Sequence, residues 1–318
     1  MHGGVNHQIN TIFTQSGIFQ PGVSRHDEKQ AIKAELKATG KSAASQSVAS
    51  RSAIHSYNSA QDYKDTWHKF GHYCRQELGL KDMSKADNKH VQSYLESRIN
   101  DKIGQGTWKK EAAHLNKYAQ ALERFDSQPR NFQQTINDLR PLAQDQLDPS
   151  HKDYGGFNNP KSVVSALDSK NPEHGLAARV QLESGARLRE ASLIRKDQLQ
   201  GIEKDRFSGR DVGKIRLEDT KGGKPRDVYV SRETYTKLEQ ATKNQAFQVN
   251  RNTYRNNVRE TARAVGEKLT GTHNLRYCYA QERFNQIVES GHSTEQALQQ
   301  TSWQMGHERA DITNLYLR

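Results

Sequence analysis

Near its end the sequence reads QMGHERADITNLYLR, with His307 nine positions before Tyr316. Such a stretch is either the tail of a last helix or the seat of a nucleophile. Four other stretches carry residue types suited to a phosphate. In THNLRYCYA, His273 and Arg276 stand three apart at an expected helix start and so share a face. A guanidinium beside an imidazole suits a phosphodiester. In GARLREAS, Arg187 follows Gly185 where the helical pattern breaks, and Glu190 lies on the same face, able to hold an arginine in place. DTKGGKPRD puts Lys221 at a strand end beside a flexible Gly-Gly turn, from which a lysine can reach a leaving-group oxygen. Moving a phosphoryl group needs positive donors on its non-bridging oxygens, an in-line nucleophile and an acid for the leaving oxygen. The sequence offers no acidic cluster of the kind that holds Mg²⁺ and no P-loop, so side chains would supply all of it, with no metal and no cofactor.

The rest of the chain must position these groups. It has 318 residues, 33% of them hydrophobic, and a mean hydropathy of −1.00, which predicts two small domains rather than one large core. No apolar run is long enough to span a membrane, and the N-terminus has no signal-peptide pattern. Two cysteines, Cys74 and Cys278, fit a reducing cytoplasm better than a disulfide framework. A net charge of +11 favours a polyanionic partner, above all nucleic acid.

Residues 1–48 are polar and read as a flexible tail or arm. From about residue 52 apolar residues recur at steps of three and four: Tyr63, Trp67, Phe70, Cys74 and Leu78, then Val91, Leu95 and Ile99. A third stripe follows, through Trp108, Ala112, Leu115, Ala119, Leu122 and Phe125, with Thr107 as its expected N-cap. A fourth helix over NFQQTINDLR is expected to stop at Pro141. Residues 49–142 thus form a small helical bundle, with Trp67 and Trp108 in its core. Its outer face is expected to carry Lys64, Lys69, Arg75, Lys102, Lys109, Lys110 and Lys117. Residues 143–159, rich in Pro and Gly, read as a linker. Residues 160–318 read as mostly helical around GKIRLEDT and PRDVYVS, two strands of a small antiparallel sheet, with DQLQGIE as a third. Ser231 opens one helix, and Ser293 with Gln296 forms a capping box for another. The fold class is therefore mainly α with a small antiparallel β-sheet.

Taken in order, an arginine, a lysine hairpin, H-x-x-R, Gly-His and a tyrosine nine on resemble the catalytic domain of the tyrosine recombinases, the phage-integrase family. ESGARLREASLIRKDQL is similar to that family's first arginine box, IRLEDTKGGKPRDVYV to its lysine hairpin, GTHNLRYCYAQERFNQIVESG to its H-x-x-R box and QMGHERADITNLY to its last box. The resemblance covers about residues 160–318 as a mixed α/β catalytic domain, and extends more loosely to residues 50–127, whose helices resemble the family's core-binding domain.

The resemblance implies Tyr316 as the nucleophile that forms a 3′-phosphotyrosyl bond with DNA and frees a 5′-hydroxyl. It implies Arg187 and Arg276 on the non-bridging oxygens, Lys221 as acid for the leaving oxygen and His273 as acceptor of the phenol proton. His307 would hydrogen-bond the phosphate and Glu190 would support an arginine. The lysine at 224, in the same turn, is a second candidate for the acid and a candidate DNA contact. Lys64, Lys69, Lys109, Lys110 and Lys117 on the bundle are further candidate DNA contacts. The implied partners are double-stranded DNA, further copies of the chain in a tetramer on two DNA sites that passes through a Holliday junction, and accessory DNA-bending proteins. The implied setting is the bacterial cytoplasm at the nucleoid, integrating or excising a mobile element. Many members continue past the tyrosine with a helix that docks on a neighbouring protomer; that segment lies outside this sequence. A type IB topoisomerase, or an idle DNA-binding protein of the same fold, remains as an alternative.

Overall fold

The computed structural model describes residues 1–149, 155–218, 220, 225–307 and 309–317, which fall into two units divided between residues 151 and 152. Among the described residues no helix is long and apolar enough to cross a membrane.

The first unit is all helical. It runs through α1 (Val5–Gln15), α2 (Arg25–Ala38), α3 (Ser45–Arg51), α4 (Tyr57–Glu77), α5 (Asn88–Asn100), α6 (Gln105–Asp126) and α7 (Gln133–Gln146). The three apolar stripes become the buried faces of α4, α5 and α6. Trp67 and Trp108 are both fully buried, their indole N–H groups donating to the carbonyls of His114 (2.9 Å) and Leu95 (3.1 Å). This is how a buried indole is usually satisfied.

Residues 1–48 are not a tail. α1 places Val5, Ile9, Ile12 and Phe13 on one face, packed on α4 and α6 in the same core. That spacing is a helical stripe, short and set in polar surroundings. Gly71 on α4 admits it, since a Cβ there would stand 2.7 Å from Cγ1 of Val5. α2 and α3 pack on each other through Ile32, Leu36 and Val48. Three further expectations shift. α6 begins at Gln105 with Gly104, not Thr107, as N-cap. α7 runs through Pro141 to Gln146, kept by the burial of Leu139 and Ala143 on either side of the proline. The expected linker is shorter than 143–159: Leu147 belongs to the first core and Phe157 to the second, and residues 150–154 lie outside the described residues.

The second unit opens with α8 (Pro160–Lys170), α9 (Pro172–Ser184) and the single turn α10 (Leu188–Ala191). A short pair, β1 (Leu193–Ile194) with β5 (Phe247–Gln248), and a three-stranded antiparallel sheet of β2 (Leu199–Lys204), β3 (Asp211–Leu217) and β4 (Arg226–Ser231) follow. The register pairs Gly213 with Val230 and Ile215 with Val228. On one face Ile215, Leu217, Val228 and Val230 are buried, as period-two alternation requires. α9 and α11 (Arg232–Ala241) pack on β3 and β4. The chain ends with α12 (Arg251–Ala264), α13 (His273–Glu289), α14 (Thr294–Gln304) and a 3-10 turn, Ala310–Leu315. Ser231 caps α11, and Ser293 with Gln296 caps α14 reciprocally, as their sequence signatures predict.

Candidate active site

α9 ends at Ser184 because Gly185 takes a left-handed conformation, φ +64°, and a Cβ there would stand 2.3 Å from the Tyr279 ring. Only glycine fits. The turn frees the Gly185 carbonyl and starts α10 two residues on, with Arg187 at its N-cap. The Arg187 N–H donates to Oε2 of Glu190 (2.8 Å) and its Nη1 to Oε1 (3.1 Å).

Arg276 lies one turn into α13 and is completely buried. Its Nη1 donates to the Gly185 carbonyl and its Nη2 to the Met305 carbonyl and to Nε2 of His307, the last at 3.1 Å. A guanidinium can only donate, so His307 accepts at Nε2 and its ring proton sits on Nδ1. Burial, then the charge of Arg187, lowers the Arg276 pKa to about 10, which leaves it cationic at neutral pH. Burial and then the charges of Arg276, Arg187 and Arg226 push His307 down to about 3, so the imidazole is neutral.

The 3-10 turn after His307 brings Tyr316 back over α13. Tyr316 is 8% exposed, its ring 4.6 Å from that of Tyr277 and 5.9 Å from the Arg276 guanidinium carbon. Its phenol oxygen lies 3.3 Å from Nε2 of His273, within hydrogen-bond reach, and its ring is 5.5 Å from that of His307. Arg276, His273, His307 and Tyr316, spread over more than forty positions, are therefore brought together, with Arg187 joined through the Gly185 turn and Glu190. Lys221 and Lys224 lie outside the described residues.

Glu190 does more than its sequence position suggests. It also accepts both terminal nitrogens of Arg226, at 3.1 and 2.6 Å. Burial opposes its ionisation, but the hydrogen bonds and charge of Arg226, and then those of Arg187, hold its pKa near 2. Sequence reasoning missed Arg226 and Tyr277. Arg226 stands inside the lysine-hairpin stretch, and Tyr277 directly follows Arg276.

The bundle lysines divide. Lys69 and Lys109 are exposed, as is Lys110, which pairs with Asp62 at 3.2 Å; Lys64 is half-buried, its ammonium 5.5 Å from the centroid of the Phe13 ring. Lys117 is not on an outer face. It is buried, its ammonium donating to the carbonyls of Ala49 (2.8 Å) and Ser52 (2.7 Å) at the end of α3. In the second unit α12 exposes Arg251, Arg255, Arg259 and Arg263 at every fourth position, while Tyr254 and Val258 are buried. The i, i+4 pattern of arginines was legible in RNTYRNNVRETARA.

No family model matches the chain, and no curated protein matches it in sequence. Solved structures do. XerH site-specific recombinase bound to palindromic difH substrate, in a post-cleavage complex, aligns over 98% of this chain and 91% of its own, at TM-score 0.58 and 13% identity. A lambda integrase dimer bound to a COC′ core site aligns over 100% of this chain and 81% of its own, at TM-score 0.58 and 13% identity. The Tn1549 transposon integrase in complex with transposon right end DNA aligns over 92% and 94%, at TM-score 0.55 and 13% identity. The chain has the tyrosine-recombinase fold: a helical unit followed by a mixed α/β unit.

Proposed function

We propose that this chain is a tyrosine recombinase that cuts and rejoins DNA at specific sites without a metal. The observation that carries the reading is the meeting of a buried arginine, Arg276, a neutral His307 and a phenol, Tyr316, whose oxygen is within reach of His273. Two guanidinium groups, Arg187 and Arg276, would neutralise the charge that builds on the non-bridging oxygens of a DNA phosphate. His273 would take the proton of Tyr316 as the phenol attacks, since a free phenol near pKa 10 needs such help at neutral pH. The bond formed joins the Tyr316 oxygen to the 3′ phosphorus. The bond broken releases the 5′ oxygen, which Lys221 would protonate. His307 keeps its Nδ1–H, which has no partner among the described residues, as a neutral donor for a phosphate oxygen. The phosphotyrosine keeps the energy of the broken bond, so rejoining needs no nucleotide.

The exposed arginines of α12 and the exposed lysines of the first unit support DNA as the partner. The solved neighbours are described as recombinases or integrases bound to DNA. On this reading, residues 160–318 are the catalytic domain and the first unit is the core-binding domain. The chains work as a tetramer on two sites, exchanging strands through a Holliday junction for a mobile element.

The test begins with duplexes selected from a random library by binding to the chain, each then nicked to trap the covalent product. Wild type forms an adduct that survives denaturation, and Tyr316→Phe does not. An adduct that persists in Tyr316→Phe removes the nucleophile and the reading with it. Relaxation of supercoils by a monomer, with no pairing of sites, points instead to the topoisomerase alternative.

A further inference from the structure

Glu190 orders Arg187, yet its own position is fixed from elsewhere in the chain. The carboxylate sits in a single helical turn, too short to hold a side chain by itself. Its two oxygens accept from the Arg187 backbone and guanidinium on one side and from Arg226 on the other. Arg226 is the first residue of β4 and pairs with Leu217, the last of β3, at the end of the ladder where the chain passes from one strand to the other. Its Nε donates to the carbonyl of Gln304, the last residue of α14, at 3.2 Å. Gly306, at φ +70°, leaves room for it: a Cβ there would stand 3.0 Å from Nη1. One guanidinium, only 10% exposed, thus ties together the α10 turn, the start of β4 and the turn that carries His307.

We propose that Arg226 is a positioning residue for the phosphate site: its fork fixes the Glu190 carboxylate, and through it Arg187, against the turn before His307. A planar fork meets both oxygens of a carboxylate at once, whereas an ammonium holds a point. Without Arg226, a carboxylate whose side chain is 3% exposed would keep, among the described residues, the Arg187 groups as partners. Removing one of its two cationic partners leaves the buried carboxylate less compensated, which favours movement toward water or uptake of a proton. Either change alters the oxygens that hold Arg187. The catalytic meaning rests on the recombinase reading, while the positioning itself does not.

Two measurements on the full chain separate these. The first needs no DNA: ¹⁵N relaxation of the Arg187 Nε–H in wild type, Arg226→Gln and Arg226→Lys, with thermal unfolding to check that each is folded. The Arg187 signal is rigid in wild type, mobile in Arg226→Gln and intermediate in Arg226→Lys. An Arg187 as rigid in Arg226→Gln as in wild type overturns the proposal. The second is single-turnover adduct formation on the selected nicked duplex. In Arg226→Gln the rate falls about 100-fold while DNA affinity stays within about twofold, the pattern of a misplaced reacting group rather than lost binding. An unchanged rate, or an equal loss of rate and affinity, overturns it. If Arg226→Gln does not fold, Arg226→Lys carries both measurements. If wild type makes no adduct but Arg187 loosens in the variant, the recombinase reading fails and the positioning role stands.

Discussion

Nη2 of Arg276 donates to Nε2 of His307 across 3.1 Å, and this one bond decides which tautomer the histidine adopts. The arginine has no acceptor, so the imidazole proton must sit on Nδ1. Protonating Nε2 would set two donors against each other beside a buried cation. That arrangement agrees with the pKa of about 3 that burial and then the neighbouring arginines impose on His307. The expected ¹H–¹⁵N correlation pattern is that of an Nδ1–H imidazole, unchanged from pH 8 to pH 5.

The same depression has a sign in stability. Between about pH 6.5 and pH 3 the unfolded chain binds a proton at this position that the folded chain refuses. Stability therefore falls as pH drops through that window. His114 adds to it in the first unit, lowered to about 4 by burial and then by Lys110. Urea unfolding at pH 7 and pH 5 measures the slope, at up to about 1 kcal/mol per pH unit for each histidine. His307→Gln removes its share from the transition of the second unit, and a slope unaltered by that substitution excludes the assignment.

Tyr316 stacks on Tyr277 at 4.6 Å, so its ring is held from the side as well as by its turn. Such a pair contributes about 0.5–1.5 kcal/mol beyond the area it buries. Tyr277→Phe keeps the ring contact and is expected to form the adduct faster than Tyr277→Ala. Tyr277→Ala frees the ring and slows adduct formation by about tenfold at saturating DNA. Equal rates for the two variants would show that the stack does not orient the phenol.

Lys117 and the α12 arginines make opposite predictions. Lys117→Ala removes the ammonium from the carbonyls of Ala49 and Ser52, the first of which keeps the Ser52 hydroxyl at 3.4 Å, and costs about 1–3 kcal/mol of unfolding free energy. It leaves the salt dependence of DNA binding alone. Arg255→Gln and Arg259→Gln touch no core, and each lowers the slope of log affinity against log salt by about one. Titrations at several salt concentrations, run beside urea melts, separate the two groups.

What the sequence made legible follows from range. Arg276, His273 and Tyr316 announced themselves through neighbours three or nine positions away, and the strands through period-two alternation around a glycine turn. Arg226 did not, because its partner Glu190 is thirty-six positions earlier and only the β4 register brings them together. Lys117 looks like any surface lysine in the sequence because the carbonyls it serves, those of Ala49 and Ser52, stand more than sixty positions earlier at the end of α3. α1 was passed over for its polar setting, although Val5, Ile9, Ile12 and Phe13 carry the helical period. Composition averaged over fifty residues hid an eleven-residue stripe.

Gly185 offers a test of backbone rather than side chain. In Gly185→Ala the new methyl group must occupy the Tyr279 ring's place, in a left-handed conformation that already costs about 1–2 kcal/mol for an L-residue. A loss of more than about 2 kcal/mol is expected in urea unfolding, since overpacking adds to the conformational cost. The carbonyl that receives Arg276 moves with the turn, so adduct formation falls further than stability alone accounts for.

Behind the site, Arg283 on α13 grips Asp205, just after β2, with two hydrogen bonds of 2.9 and 2.6 Å, and reaches Gln304 with its Nε at 2.7 Å. Burial works against the carboxylate, but Arg283 and then Ser208 hold its pKa near 2. The pair therefore stabilises the fold above about pH 3.8, and that contribution is lost as pH falls toward 2. Asp205→Asn strands a buried guanidinium and is expected to cost about 3–5 kcal/mol at pH 7. The double variant Asp205→Asn with Arg283→Met removes both charges and is expected to recover much of that loss, because the penalty lies in the unpaired charge. Gln304 would then keep, among the described residues, the Tyr279 hydroxyl on its side-chain oxygen, at 2.9 Å. A double variant no more stable than Asp205→Asn alone would mean that the pair acts by packing the β2–β3 connection, not by charge.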